Sequence, residues 1–186
     1  MNYKTILPLL LMSLPFQQVE AQTREVGAFE MEPHLGISLP LAGKGYTDDS
    51  AVSFVLGCEA RFNFKQKPFD VGLQLDFGNV CHNEVIFIGS WSLFSDYNFR
   101  QTQKVSPFVG LGLGFAGIGT NSWGGSEKHD HGRDGLMISP RCGVELLHSF
   151  RLTATCNILT ASPDLSYFAL TFGVSLGGWK KRKKGE

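Results

Sequence analysis

His148 is followed directly by Ser149, an imidazole beside a hydroxyl, and that juxtaposition is where nucleophilic catalysis could begin. A working pair also needs a carboxylate to orient the imidazole. The nearby carboxylate is Glu145, and strand alternation turns it to an interior face. The pair therefore reads as part of a tight turn, and no catalytic residue is expected. A second stretch, Glu127-Lys128-His129-Asp130-His131, sets two imidazoles one residue apart among acidic neighbours, a donor set that suits a divalent metal. Metal sites need three or four ligands on a defined scaffold. A solvated loop is the expected reading of this stretch, with no metal and no cofactor.

The chain has four Cys, with no CxxC pair and no zinc spacing. Cys142 and Cys156 lie nearly equidistant from the turn at 148–150. In a hairpin centred on Ser149 they would face each other across adjacent strands. An oxidising envelope would allow a disulfide there. Two small apolar side chains on an outer face is the plainer account. Cys58 falls on a strand and Cys81 in a loop, and neither receives a role. Gly110, Gly112 and Gly114 resemble a phosphate loop only superficially. They alternate with Val, Leu and Phe in a strand and open no helix, so the nucleotide reading fails on context.

The elements that must carry these residues are strands. In Phe69-Asp70-Val71-Gly72-Leu73-Gln74-Leu75-Asp76-Phe77-Gly78 every odd position is large and apolar and every even one is Asp, Gly or Gln. Period-two alternation signals a β-strand with one apolar and one polar face. The same pattern recurs at about 28–39, 51–64, 85–99, 106–117, 135–147, 152–158 and 168–176. Pro33 interrupts the first strand, since it cannot donate to a ladder. It is expected to mark a bulge or the start of the paired segment. In the fourth strand Ile86, Ile88 and Phe94 blur the alternation. Connections alternate in length: the first, third, fifth and seventh are loops, the longest being 40–50 and 118–134, and the second, fourth and sixth are tighter turns. Hairpin connections of this kind imply an antiparallel meander. Eight such strands remove their exposed edges by closing into a barrel.

The flanks are different. Lys4 precedes an apolar run from Ile6 to Phe16, and Val19-Glu20-Ala21 fits a peptidase site. A signal peptide over 1–21 is expected, with the barrel over 22–179 and a basic tail over 180–186. Five of the 17 basic residues sit in that tail, so the rest of the chain leans acidic despite a formal net charge of zero. The tail is read as a solvated end, and no surface suggests nucleic acid. After the signal segment no apolar run reaches the 18 residues that a membrane helix needs, which leaves a membrane barrel open.

Alternation alone does not say which face is inside. A soluble barrel puts apolar side chains in; a membrane barrel puts them out. The connections show the short-turn, long-loop asymmetry of outer-membrane barrels. Aromatics collect near the turns at Phe64, Phe69, Tyr97, Phe99, Phe108 and Phe150, where an interfacial girdle belongs. The apolar face carries large side chains and the polar face Gly, Ser and Thr, which suits the narrow interior of eight strands. The polar face also mixes signs, and Glu30, Glu32, Glu59, Arg61, Asp70, Asp76, Arg141 and Glu145 are expected to pair as an ionic network in the lumen.

This pattern resembles the small eight-stranded outer-membrane barrels of the OmpA/OmpX type, and the outer-membrane β-barrel domain family. The resemblance spans about 28–179 and rests on the signal peptide, the alternating strands, Ser106-Pro107-Phe108-Val109-Gly110-Leu111-Gly112-Leu113-Gly114 and the last amphipathic strand. Seven residues follow Trp179, where such barrels commonly end on an aromatic. The resemblance implies an all-β, eight-stranded antiparallel up-and-down transmembrane barrel, exported to a bacterial outer membrane. Its partners would be outer-membrane lipid, the barrel assembly machinery and a surface partner met by loops 40–50 and 118–134, with the protein a monomer. A structural or surface-interaction role without catalysis is expected. The alternatives are a narrow pore for small solutes, a lipid A-modifying barrel enzyme and a soluble calycin-like carrier with its faces reversed.

Overall fold

An alternating strand has an apolar ribbon on one side, and eight such strands can share one solution only if all ribbons face the same way. The structure, a computed structural model, describes residues 28–41, 52–64, 67–81, 85–99, 104–120, 133–147, 149–160, 163 and 166–177. Eight strands follow in order: β1 (Phe29–Pro40), β2 (Ser53–Asn63), β3 (Phe69–Cys81), β4 (Val85–Asn98), β5 (Val105–Thr120), β6 (Arg133–Leu146), β7 (Phe150–Leu159) and β8 (Tyr167–Val174). Each pairs antiparallel with the next, and β8 returns to β1, closing the barrel. The signal segment 1–21, the tail 180–186, Trp179 and His148 lie outside the described residues.

Polarity is inverted relative to a soluble protein. Phe54, Leu35, Leu93 and Phe77 stand on the outside, the last 66% exposed, while Arg61 on the inside is 1% exposed. An outer band of this kind matches hydrocarbon, and the chain is a transmembrane β-barrel. At the turn rim Phe64, Phe69, Phe99 and Phe150 are exposed and Tyr97 is half-buried. Phe69 meets Tyr97 edge-on at 5.0 Å between ring centroids, and Tyr97 meets Phe99 at 5.1 Å. Phe108 departs from the expected girdle. It is 1% exposed and points into the lumen, because it shares parity with Gly110, Gly112 and Gly114 and not with Val109 and Leu111.

Several boundaries move. β3 continues to Cys81, which pairs with Val85, so Cys81 belongs to a strand and not to a loop. β5 and β6 extend past the expected ends of the long loop, with Ile118 opposite Arg133. Residues 42–51 and 121–132, most of the two long loops and with them His129 and His131, lie outside the described residues. Pro33 neither starts β1 nor bulges it against β2, since it faces Cys58 within an unbroken register. Its effect falls on the other side. Met31 and Leu176 exchange both backbone hydrogen bonds, and the continuous β1–β8 ladder resumes only at His34 and Gly173. Between them Pro33 has no N–H to offer β8.

The β6–β7 hairpin centres on residue 148 and not on Ser149, with Leu146 opposite Phe150. Leu147 takes φ 52°, the left-handed region that L side chains seldom enter. The shifted centre places Cys142 opposite Ala154, while Cys156 pairs with Phe168 on β8. The facing arrangement expected for a disulfide is therefore not formed, and both thiols are free.

Candidate functional site

The inward face of each strand gathers its polar residues into the lumen, and there they sort by height. The half nearest the turns holds charge. Arg61 on β2 donates through Nη2 to Glu30 Oε2 at 2.5 Å and through Nη1 to Glu32 Oε2 at 3.3 Å, both carboxylates coming from β1. Glu59 and Asp70 stand 4.0 and 3.9 Å from the same guanidinium, and Glu145 stands 3.8 Å from it. Arg141 on β6 crosses the lumen, donating to Glu59 Oε1 at 2.6 Å and to Gln74 Oε1 at 2.8 Å. Its Nε approaches Asp96 Oδ1 at 3.3 Å. Arg151 on β7 pairs with Asp96 Oδ2. Asp70 accepts from Asn98 Nδ2 at 2.8 Å.

Aromatic rings complete this half. The Arg151 guanidinium lies 3.6 Å from the centroid of Phe108, and that of Arg141 lies 4.2 Å from the centroid of Phe94. Such cation–π contacts strengthen once water is excluded. Two glycines make room for the rings. Phe94 is registered opposite Gly72, and Phe108 opposite Gly143. A β-carbon at Gly72 would come 2.5 Å from Phe94 Cζ, and one at Gly143 2.6 Å from Phe108 Cζ.

Midway along the lumen His34 donates from Nε2 to Asp76 Oδ1 at 2.7 Å, and Gln74 donates to Asp76 Oδ2 at 2.7 Å. Toward the loops the interior changes character. Val55, Ile88, Ala116, Met137, Leu159, Tyr167 and Ala169 form one buried apolar cluster. Ser139 Oγ donates to Asn157 Oδ1 at 2.7 Å beneath it.

Glu30, Glu32, Glu59, Arg61, Asp70 and Arg141 form one buried network, with Glu145 half-buried at its margin. Asp76 is also buried, but its partners are His34 and Gln74 and not an Arg. Asp96, Arg151 and His34 were not anticipated as members. Parity could have found them: Arg151 is in phase with Thr153, Thr155 and Asn157, and Asp96 with Ser90, Ser92 and Asn98. The apolar cap had a weaker signal in Ile88, which read only as a blurred alternation. Ser149 lies at the turn rim, the end opposite the long loops, and no buried carboxylate–imidazole–hydroxyl set faces the outside among the described residues.

No family model matches the sequence, and no curated protein resembles it significantly. Solved structures do resemble the fold. Neisserial surface protein A (NspA) superposes with a TM-score of 0.60 at 16% identity, covering 82% of this chain and 98% of that one. The N-terminal β-barrel domain of Pseudomonas aeruginosa OprF superposes at 0.50 and 15% identity, covering 81% and 99%. At such identity the likeness concerns architecture alone, and it agrees with the closed antiparallel sheet seen here. The chain has the fold of the small eight-stranded outer-membrane β-barrels.

Proposed function

We propose that this protein resides in the bacterial outer membrane, as a monomer exported through a cleaved signal peptide, and acts without catalysis as an anchor for surface loops. The observation that carries this reading is the filled lumen. Arg61, Arg141, Arg151 and Asp96 are all at or below 3% exposure, and the apolar cluster lies between them and the loop rim. Packing at both levels among the described residues argues against a solute path along the lumen. What remains open to partners is the outer end, where loops 40–50 and 118–134 leave the strands. The apolar exterior supports outer-membrane lipid as the surrounding medium, and insertion by the barrel assembly machinery is part of the same proposal.

The narrow-pore reading rests on Gly110, Gly112 and Gly114 in the lumen wall. Against it stand Asp96, opposite Gly110, and Ser139, opposite Gly112, both buried. Cell fractionation followed by electrophoresis of heated and unheated samples tests the location and the barrel. Outer-membrane recovery with a heat-modifiable band is expected, and release in aqueous buffer would overturn the reading. Planar-bilayer recordings are expected to show no stepwise conductance. Replacing 121–132 by a short Gly-Ser turn should leave the barrel intact and abolish surface-partner binding; unchanged binding would remove that loop from the site.

A further inference from the structure

Carboxylates outnumber guanidinium groups in the lumen. Glu30, Glu32, Glu59, Asp70, Asp76, Asp96 and Glu145 are set against Arg61, Arg141 and Arg151 among the described residues. Buried negative charge in excess of its counter-charge is costly, and a further cation would offset it. The place is specific. One ligand atom from each of Glu32, His34 and Glu59 lies within 4.8 Å of the others, and all three residues are 2% exposed. We propose that Glu32, His34 and Glu59 form a structural binding site for one divalent transition-metal ion of the zinc or manganese class.

Hydrogen bonding around the cluster supports this beyond its composition. His34 gives Nε2 to Asp76, and its Nδ1 is buried with no partner. Glu59 receives Arg141 on Oε1, and its Oε2 is likewise buried with no hydrogen bond. Arg61 Nη1 stands 4.0 Å from that oxygen, beyond hydrogen-bonding range, and leaves a lone pair open. Unsatisfied buried polar atoms are uncommon enough to need a cause. The arrangement Gln74–Asp76–His34 is the second shell that metal-binding histidines carry, in which a carboxylate orients the ring and raises its basicity. Gly57 keeps space for it, since a β-carbon there would collide with Asp76 Oδ1 and lie 2.5 Å from His34 Nε2. One imidazole and two carboxylates suit zinc or manganese better than calcium or magnesium, which prefer all-oxygen shells. A water would complete a tetrahedral set. The ion would join β1 to β2 directly, and through Asp76 to β3, and offset part of the excess negative charge.

The full-length barrel is refolded into detergent after treatment with EDTA, with zinc chloride or manganese chloride added, and desalted before elemental analysis. About one metal ion per chain should remain. Anomalous scattering from crystals of the loaded protein should place it among Glu32, His34 and Glu59. Retention of neither metal would overturn the proposal, and so would an anomalous peak at His129 and His131. His34→Gln should keep the heat-modifiable band and lower metal retention at least about tenfold. A folded His34→Gln barrel with undiminished metal would also overturn it. Should that variant fail to fold, the anomalous map of the unaltered protein decides.

Discussion

Toward the turns, the interior is held by Arg61, Arg141 and Arg151 threaded between carboxylates; toward the loops, it is held by Val55, Ile88, Met137 and Leu159. The same narrow tube is filled in two ways. The ionic half depends on direction. Each guanidinium must meet oxygens on other strands, and a missing partner leaves a buried charge. The apolar half depends on volume, and any side chain of similar size fills it without new bonds. The contrast indicates different tasks. The ionic half ties non-neighbouring strands together, as Arg141 on β6 reaches Glu59 on β2 and Gln74 on β3. The apolar half lies between the ionic half and the loops.

Removing a central guanidinium should have the largest effect. Arg61→Met leaves Glu30 and Glu32 without their cation and should cost about 3–5 kcal/mol in urea unfolding from detergent. Adding Glu30→Gln should recover part of that loss. An equal cost from both variants would show that the network is not electrostatically coupled. In the apolar half Leu159→Ala should cost about 2–4 kcal/mol through its cavity. The variant should still show no conductance in planar bilayers, because the ionic half closes the tube by itself. Stepwise openings would mean that the apolar cap is the true seal.

Between these levels lie the glycines that admit the buried rings. Gly143→Ala should cost about 1–3 kcal/mol, because a β-carbon there meets the backbone carbonyl of Leu152 as well as Phe108, and a paired Phe108→Leu should relieve only part of it. An unaffected melting temperature would mean that both the ring and the neighbouring strand give way freely. The smallest effect is expected outside the lumen. Leu147→Gly relieves a left-handed backbone and should raise stability by up to about 1 kcal/mol, read from the same urea midpoints. A loss would show that Leu147 is held there by useful packing.

Glycine also explains what could be read early and what could not. Four inward residues, His34, Phe94, Asp96 and Phe108, are each registered opposite a glycine, respectively Gly57, Gly72, Gly110 and Gly143. The glycines were visible as a small-residue face, and the sequence located the ionic residues on the same face. Which large residue lies over which glycine depends on register. Phe108 shows the difference. Its place near a turn groups it with the rim aromatics, whereas its parity with Gly110 turns it inward.

Alternation by itself determined the strands, their number and which side chains share a face, and the connection lengths and the small residues of the polar face turned that face inward. The strands and their faces follow from the two-residue period of an extended chain, which each strand expresses locally. The partners of the inward charges were decided only by the closed barrel. Arg141 finds Glu59, and Arg151 finds Asp96, across separations of 82 and 55 residues. Cys142 misses Cys156 because the hairpin centre moved by one residue. Contacts of this kind depend on the stagger of eight strands around a ring, and no single strand carries that stagger in its own sequence.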